Sequence, residues 1–209
     1  MRLHAIPHST NVDRVLLALG LKGLEVETVL HDPADRSALR ALSGQELVPV
    51  LETGDGEVLT DSMPIVAWID ARWPQPPLYP ADPLERRRVE AFVEFFNRVG
   101  KVAPNAIADG AADPAPLIAR LHGFTGMFDG LLAGRDFLFG GAPGAADLCA
   151  HPFLKYATST DPDDDDLFHG VLIEHLAPGA ALPNLPGWID RMASLPIAAQ
   201  TSRPAPANL

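Results

Sequence analysis

The chain has 209 residues, 47% of them hydrophobic and 21% charged, which is the balance of a globular protein with a sizeable core. A formal net charge of −11 argues against nucleic acid or an anionic membrane surface as the main partner. The single cysteine, Cys149, excludes an internal disulfide and fits a reducing compartment. Without a signal-peptide pattern or a long apolar run, the sequence predicts a cytoplasmic protein, and its arginine-rich, lysine-poor composition is typical of a bacterial one.

The first 78 residues alternate between strand-like and helix-like segments. The patterns predict strands over 3–6, 24–30, 48–51 and 57–60, and helices over 12–21, over 36–42 and after 62. The turn Gly54-Asp55-Gly56 joins the last two strands as a hairpin, whereas the earlier parallel strands need helical crossovers. Because proline cannot donate to a sheet ladder, Pro49 belongs at the start or the edge of its strand. This order predicts a mixed α/β domain.

The rest of the chain reads as helical after a proline-dense segment from Pro74 to Pro83. Amphipathic spacing and capping residues predict helices over 84–103, from Asp113 to about 132, over 144–154, after 166 and over 186–195. The tail from Ser202 is rich in proline and alanine, so we expect it to fray. The pattern therefore predicts an all-α region after the linker.

Acidic and hydroxyl side chains stand where two of the predicted helices begin. Asp61 and Ser62 precede the helical spacing of Ile65 and Trp68, and Ser9 precedes the first helix. A helix start presents unpaired N–H groups and the positive end of the helix dipole, which suit an anionic ligand. Simple capping by Ser9 or Asp61 accounts for the same residues, so both interpretations are open at this stage.

Five motifs follow one another in a specific order. They are the loop from Ile6 to Val15, the dipeptide Val48-Pro49, the pair Asp61-Ser62, the capping sequence from Gly144 to Asp147, and the closing helix from Pro183 to Met192. Over about residues 1 to 200, this order resembles the glutathione S-transferase superfamily, in particular its phi-like serine type. The resemblance implies a thioredoxin-like, glutathione-binding α/β domain over 1–78, a linker over 79–83 and an all-α domain over 84–209.

The resemblance further implies a glutathione transferase that activates the glutathione thiol against small hydrophobic electrophiles. A thiol with a pKa of roughly 8.5 is mostly neutral at pH 7, so such an enzyme must stabilise the thiolate. The resemblance assigns this role to the hydroxyl of Ser9, with Thr10 and Asn11 as alternative donors. The other implied glutathione contacts are Val48, Pro49, Asp61 and Ser62.

These contacts have distinct implied roles. If the Val48–Pro49 bond is cis, as the resemblance predicts, the backbone of Val48 pairs with glutathione as an added strand, whereas a trans edge proline would leave no such role. The hydroxyl and N–H of Ser62 hold the γ-glutamyl carboxylate, and Asp61 lies near the amino group. Capping of the following helix by Asp61 is the alternative.

The sequence departs from the family pattern just before Val48. Leu47 stands where family members usually carry a polar side chain that contacts glutathione. Arg36 and Arg40 are the nearest cationic candidates for the glycyl carboxylate. Gly144 also lacks the usual capping hydroxyl, which concerns the strength of that helix cap and leaves the predicted fold unchanged.

The electrophile pocket is the least defined part of the prediction. Candidate liners from the first helices of the second domain are Phe95, Phe96, Val99, Ala103 and Ile107, for which a core role is the alternative. The histidines and the acidic run 161–166 lack metal-ligand spacing, so no metal is expected.

Two other functions are compatible with the same fold. One is a glutathione-dependent isomerase or reductase, although a serine rather than a cysteine at position 9 argues against disulfide reduction. The other is a non-catalytic or weakly active binding protein, because fold does not imply function. The resemblance also implies a homodimer that takes a small-molecule electrophile as its second ligand.

Overall fold

The computed structural model describes residues 1–176 and 182–205. The chain divides into two compact units. The first comprises residues 1–78 together with a C-terminal segment that begins at Leu195, and the second comprises residues 79–194.

The first unit is a mixed sheet with helices. Its elements are β1 Arg2–Ala5, α1 Thr10–Leu21, β2 Val26–Leu30, α2 Ser37–Ser43, β3 Val50–Glu52, β4 Val58–Thr60, α3 Ser62–Arg72 and β5 Gln200–Pro204. The strand order is β4-β3-β1-β2-β5. Strand β1 runs parallel to β2 and antiparallel to β3, β2 runs parallel to β5, and β3 and β4 form the hairpin. This arrangement confirms the predicted mixed α/β fold.

The core of the first unit lies between the sheet and helices α1 and α3. In β1, Leu3 and Ala5 point to the same face and are buried, as the two-residue period of a strand requires. Helix α1 is buried along nearly its whole length, and α3 contributes Ile65, Val66 and Ile69 to the same layer. Burial of side chains of this size stabilises the fold by about 1.5–3 kcal/mol each.

The C-terminal segment differs from the prediction. Residues 200–204 form the edge strand β5 beside β2, where the sequence predicted a fraying tail attached to the helical domain. The oxygen Oε1 of Gln200 accepts a hydrogen bond from Thr28 at 2.9 Å, and Arg203 pairs with Glu27 at 2.6 Å. The ladder is held by backbone groups and polar side chains, so no apolar alternation marks it in the sequence. The expected fraying of 206–209 lies outside the described residues.

The second unit is mainly helical in its described part, with an isolated β-bridge between Phe137 and Gly140. Its elements are α4 Pro83–Phe95, a π-helical turn Phe96–Gly100, α5 Val102–Ala108, α6 Ala115–Leu132, α7 Ala145–Leu154, a 3₁₀ turn Lys155–Ala157, α8 Leu167–His175 and α9 Leu185–Ala193. The predicted helix over 84–103 is thus interrupted by a π-helical turn and resumes as α5. Tilted and edge-on aromatic contacts join Phe92, Phe96, Phe124, Phe128 and Phe153 in the core.

Asp147 organises the start of α7, as the sequence predicts. Its carboxylate accepts hydrogen bonds from the backbone N–H of Gly144 at 3.0 Å and of Leu138 at 2.9 Å, and from the indole of Trp188 at 2.9 Å. Burial raises the pKa of the Asp147 carboxyl, while the three N–H donors act in the opposite direction. The residue is 1% exposed, so its carboxylate is fully used inside the protein.

Candidate functional site

The sheet topology brings the predicted glutathione contacts to one edge. Residues His4, Val50 and Thr60 are paired in register across β1, β3 and β4. Since β3 is antiparallel to both neighbours, the ends of β1 and β4 and the start of β3 lie at the same edge. The loops that leave or enter there carry Ser9, Val48-Pro49 and Asp61-Ser62. Three segments that are well separated in sequence therefore converge on one candidate site.

Ser9 is the N-cap of α1. Its hydroxyl oxygen accepts a hydrogen bond from the N–H of Val12 at 3.4 Å, so the capping interpretation is confirmed. A serine hydroxyl has one proton and two lone pairs, and capping uses only a lone pair. The proton of the Ser9 hydroxyl therefore stays available to a thiolate at the positive end of the helix dipole. Capping and thiol activation are compatible at this residue.

The residues beside Ser9 differ in their exposure. Thr10 is the first residue of α1 and is buried, whereas Asn11 is half-buried. His8, directly before Ser9, is half-buried and has a φ of 58°, a backbone conformation that non-glycine residues rarely adopt. The loop thus holds Ser9 in place through an unusual backbone geometry.

The Val48–Pro49 peptide bond is cis, as predicted, and so is Gln75–Pro76. Pro49 is buried and directly precedes β3. Within residues 1–176 and 182–205, the backbone N–H and C=O of half-buried Val48 form no hydrogen bond. These groups can therefore pair with an extended peptide backbone, which is the role that the resemblance implies for Val48.

Asp61 and Ser62 form the start of α3. Asp61 occupies the N-cap position with φ 64° and ψ 132°, but its exposed side chain makes no capping hydrogen bond. The alternative of simple capping by Asp61 is therefore wrong. Ser62 is the first helical residue and is only 7% exposed. The N–H groups of this helix start are not satisfied by the side chain of Asp61, which leaves them available for a carboxylate.

Arg14 is a site residue that the sequence analysis missed. It lies on the buried face of α1, is 2% exposed, and donates from Nη1 to the hydroxyl oxygen of Ser62 at 3.2 Å. The available signal was Arg14 directly after Asp13, at the start of the apolar run from Val15 to Leu19. A buried guanidinium in such a run requires a polar partner elsewhere in the fold.

The residues before Val48 are engaged with one another. Leu47 is 62% exposed, and its backbone N–H and C=O bond to the side chain of Gln45 at 2.8 and 3.0 Å. Arg36 donates to the carbonyls of Pro33 and Glu46, and Arg40 pairs with the carboxylate of Glu46. The two predicted cationic candidates therefore share Glu46 as a neighbour and lie in the loop that leads to Val48.

Only some of the predicted electrophile residues meet in one cavity. An open groove of about 500 Å³ in the helical unit is lined by Phe95, Val99 and Ala103, together with Val102, Phe124 and Met127. Arg98 and Arg120 also line it. Phe96 instead lies in the aromatic core at 0% exposure, and half-buried Ile107 does not line the groove. The five predicted liners thus divide between a groove and the core.

A buried polar chain crosses the strands of the first unit. His4 bonds to His31 at 2.8 Å through Nδ1 and to Glu52 at 2.8 Å through Nε2. Burial, followed by the neighbouring His4, lowers the pKa of His31. The three residues are 27 and 48 positions apart along the chain, so sequence spacing alone does not reveal them.

The fold and the site define a class of protein. The sequence matches the family profiles of the glutathione S-transferase N-terminal domain over residues 3–77 and C-terminal domain over residues 119–196. The chain belongs to the glutathione S-transferase family, which confirms the resemblance at the level of the superfamily and makes the chain a member of an enzyme family.

The chain is also similar to individual proteins in sequence or in fold. The chain is 37% identical to maleylacetoacetate isomerase of Pseudomonas aeruginosa over 172 residues, which cover 75% of this chain and 81% of that protein. It is 38% identical to maleylpyruvate isomerase of a Ralstonia species over 95 residues, or 44% of each chain. Its fold matches a tau-class glutathione S-transferase of mango, Mangifera indica, with a TM-score of 0.79 and 19% identity, over 92% of this chain and 88% of that one.

Two further observations concern the described residues alone. Within the ranges 1–176 and 182–205, no helix is long and apolar enough to cross a membrane. In the same ranges, no three histidine, cysteine or acidic side chains are grouped so as to hold a metal ion.

Proposed function

We propose that this protein is a glutathione-dependent isomerase of small unsaturated acids that carry a maleyl group. The observation that carries the proposal is the 37% identity to a maleylacetoacetate isomerase over most of both chains. The partial match to a maleylpyruvate isomerase supports the same substrate chemistry. The isomerase alternative of the sequence analysis is therefore better supported than conjugation, its leading prediction.

The residues at the sheet edge fit glutathione by the chemistry of their donors. Val48 presents a backbone without protein partners among the described residues, and α3 begins without a side-chain cap. Extended peptides pair with such a backbone, and carboxylates bind such helix starts. The exposed carboxylate of Asp61 suits the amino group at the same end of the tripeptide.

The chemistry required is reversible activation of a conjugated double bond. Bound glutathione would supply a thiolate that adds to the maleyl double bond and is released again after the bond geometry has changed from cis to trans. The hydroxyl of Ser9 donates a hydrogen bond to the thiolate sulfur and keeps its proton, and the N–H groups at the start of α1 add their positive potential. Ser62 and Val48 hold the tripeptide in register, so that the sulfur is presented at Ser9.

A turnover assay tests the proposal. Purified protein is given maleylacetoacetate or maleylpyruvate with and without glutathione, and the trans product is followed by absorbance and chromatography. We expect isomerisation that requires glutathione in catalytic amounts and leaves it unconsumed. Formation of a stable glutathione conjugate with an aryl halide, without isomerisation, would instead support the conjugating transferase. Neither reaction, despite glutathione binding, would support the non-catalytic binding protein.

The role of Ser9 is tested in the same assay. Replacing Ser9 by alanine removes one hydrogen bond to a charged group, which is worth roughly 1.5–3 kcal/mol. The pKa of the bound thiol should rise by about one to two units, because one unit corresponds to about 1.4 kcal/mol. An unchanged thiolate absorbance titration would move the role to Thr10, Asn11 or the helix dipole.

We also propose a homodimer in a cytoplasmic setting. The family assignment supports the dimer, and the exposed apolar groove that includes Phe95, Val99 and Val102 is the kind of surface that a second subunit covers. Light scattering at micromolar concentration should give twice the mass of the chain. A monomer at that concentration would contradict this proposal.

A further inference from the structure

Arg14 is a charged side chain in an otherwise apolar layer. Arg14 is 2% exposed and lies on α1 between half-buried Asp13 and the buried run from Val15 to Gly20. Burial of a charged group costs several kcal/mol unless polar contacts offset it. An apolar residue of similar length would pack there without that cost. The position of the charge therefore calls for a functional explanation.

In the hydrogen bond between Arg14 and Ser62, only Arg14 can be the donor. A guanidinium carries only donors, so at 3.2 Å from Nη1 the hydroxyl oxygen of Ser62 must be the acceptor. One lone pair of this oxygen is then used, and its proton is directed to a different acceptor. Ser62 is the first residue of α3, where the unpaired backbone N–H groups also point out of the helix. The O–H and N–H of Ser62 can then donate to the same carboxylate.

Arg14 also links the two helix starts of the site. It lies on α1 about one helical turn from Ser9, and its side chain reaches the first residue of α3. A positive charge behind the Ser62 hydroxyl polarises its O–H bond and strengthens the hydrogen bond that this group donates.

We infer that Arg14 is a positioning residue for glutathione, which fixes the Ser62 hydroxyl so that it donates to the γ-glutamyl carboxylate. This inference rests on the proposed glutathione site but not on the isomerase reaction. It distinguishes Arg14 from a residue that only ties α1 to α3, because a purely structural arginine would affect every ligand of the site alike.

The test compares two ligands in calorimetric titrations of the full chain. One is glutathione, and the other is γ-aminobutyryl-cysteinylglycine, which is glutathione without the γ-glutamyl carboxylate. For Arg14→Met we expect a loss of glutathione affinity of about 10-fold or more, the size of one charge-assisted hydrogen bond. The affinity for the analogue should stay within about two-fold of the wild-type value. In the Ser62→Ala background, Arg14→Met should have no further effect on glutathione affinity beyond about two-fold.

Two further variants complete the design. Arg14→Lys keeps the charge but loses the planar guanidinium. Like Arg14→Met, it should weaken glutathione binding more than analogue binding, but by a smaller factor. If Arg14→Met does not fold, Arg14→Lys tests the inference in its place. Arg72→Met, at the exposed end of α3, is the matched control and should bind both ligands normally.

The inference is overturned if Arg14→Met weakens the binding of both ligands equally. It is equally overturned if the fold-losses of glutathione affinity in Arg14→Met and Ser62→Ala multiply in the double variant. It is also overturned if the wild-type protein binds glutathione no more tightly than the analogue. A wild-type chain that binds glutathione but does not isomerise would refute the proposed reaction and leave this inference standing. Normal isomerisation with unchanged selectivity in the Arg14 variants would refute only the inference.

Discussion

The starts of α3 and α7 use their unpaired N–H groups in different ways. At α7, the buried carboxylate of Asp147 bonds back to Gly144 and also accepts from Leu138 and Trp188. At α3, the side chain of Asp61 is exposed and makes no capping bond. Both helices follow an acidic or small residue in the sequence, yet only one start is satisfied by the protein itself. A helix start that lacks its own cap is therefore the better candidate for a ligand carboxylate.

The largest expected effect is on stability at the closed helix start. Asp147→Ala should lower the free energy of unfolding by about 3–5 kcal/mol, because two buried donors and the half-buried N–H of Gly144 lose their acceptor at about 1–3 kcal/mol each. Chemical denaturation measures the loss, and exposed Asp190→Ala on α9 is the matched control. Glutathione affinity of the folded fraction should not change. A loss below 1 kcal/mol would show that the network around Asp147 contributes little.

The next expected effect is a dependence of stability on pH, which arises from His151 on the same helix. Burial, followed by the charge of Lys155, lowers the pKa of His151 from an ordinary 6.5 to about 4. The folded state therefore favours neutral His151, so this contribution to stability is complete above pH 6.5 and is lost as the pH falls towards 4. The loss should reach about 2 kcal/mol at pH 5 and about 3 kcal/mol in total.

Denaturation curves between pH 4 and 7 measure this dependence. His151→Leu should remove that part of the pH dependence, since no imidazole remains to be protonated next to Trp188. Replacing exposed His122 by leucine should retain it. Identical pH profiles for wild type and His151→Leu would place the acid sensitivity elsewhere.

At the open helix start, the effect should fall on binding. Ser62→Ala should weaken glutathione binding by about 10- to 100-fold, corresponding to a charge-assisted hydrogen bond of roughly 1.5–3 kcal/mol. Its loss of stability should be near 1 kcal/mol, since the hydrogen bond from Arg14 is also lost. Ser37→Ala, at the exposed first residue of α2, is the control and should leave affinity unchanged. A destabilised Ser62→Ala protein with wild-type affinity would remove Ser62 from the site.

The smallest effect concerns the backbone of Asp61. A non-glycine residue at φ 64° and ψ 132° stores about 1–3 kcal/mol of strain. Asp61→Gly should therefore be about 1 kcal/mol more stable than Asp61→Ala, while both variants lose the carboxylate near the glutathione amino group and bind more weakly. Thermal melting and calorimetry on the pair separate these effects. Equal melting temperatures for the two variants would show that the backbone is not strained at this position.

The sequence predicts the fold, and local chemistry marks most of the candidate site residues. Val48-Pro49 and Asp61-Ser62 are recognisable through proline restriction and helix-start composition, and Ser9 through its place before α1. The pairing of Arg14 with Ser62 joins residues 48 positions apart and leaves no periodic signal. Strand β5 likewise depends on backbone pairing with β2, and the sequence of Gln200–Pro204 has no apolar alternation that would predict a strand.

The predicted electrophile-binding residues are harder to place from the sequence. Phe95 and Phe96 are equally aromatic neighbours in the sequence, but the first lines the groove and the second lies at 0% exposure in the core. Neighbouring residues of a helix point about 100° apart, so the two side chains lie on different faces. The π-helical turn Phe96–Gly100 then changes the helical phase for the residues that follow it, such as Ala103 and Ile107. Periodicity assumes a regular helix, so it cannot assign the residues after such a turn to a face.

The contrast between the two helix starts is tested most directly by amide NMR during a glutathione titration. We expect large shifts for the amide of Ser62 at the start of α3 and no comparable shift for Ala145 and Ala146 at the start of α7. The Ser62 shifts should be absent when γ-aminobutyryl-cysteinylglycine replaces glutathione, because that ligand lacks the carboxylate. An unmoved Ser62 amide under saturating glutathione, or shifts confined to the start of α7, would contradict the assignment of the open helix start to the ligand.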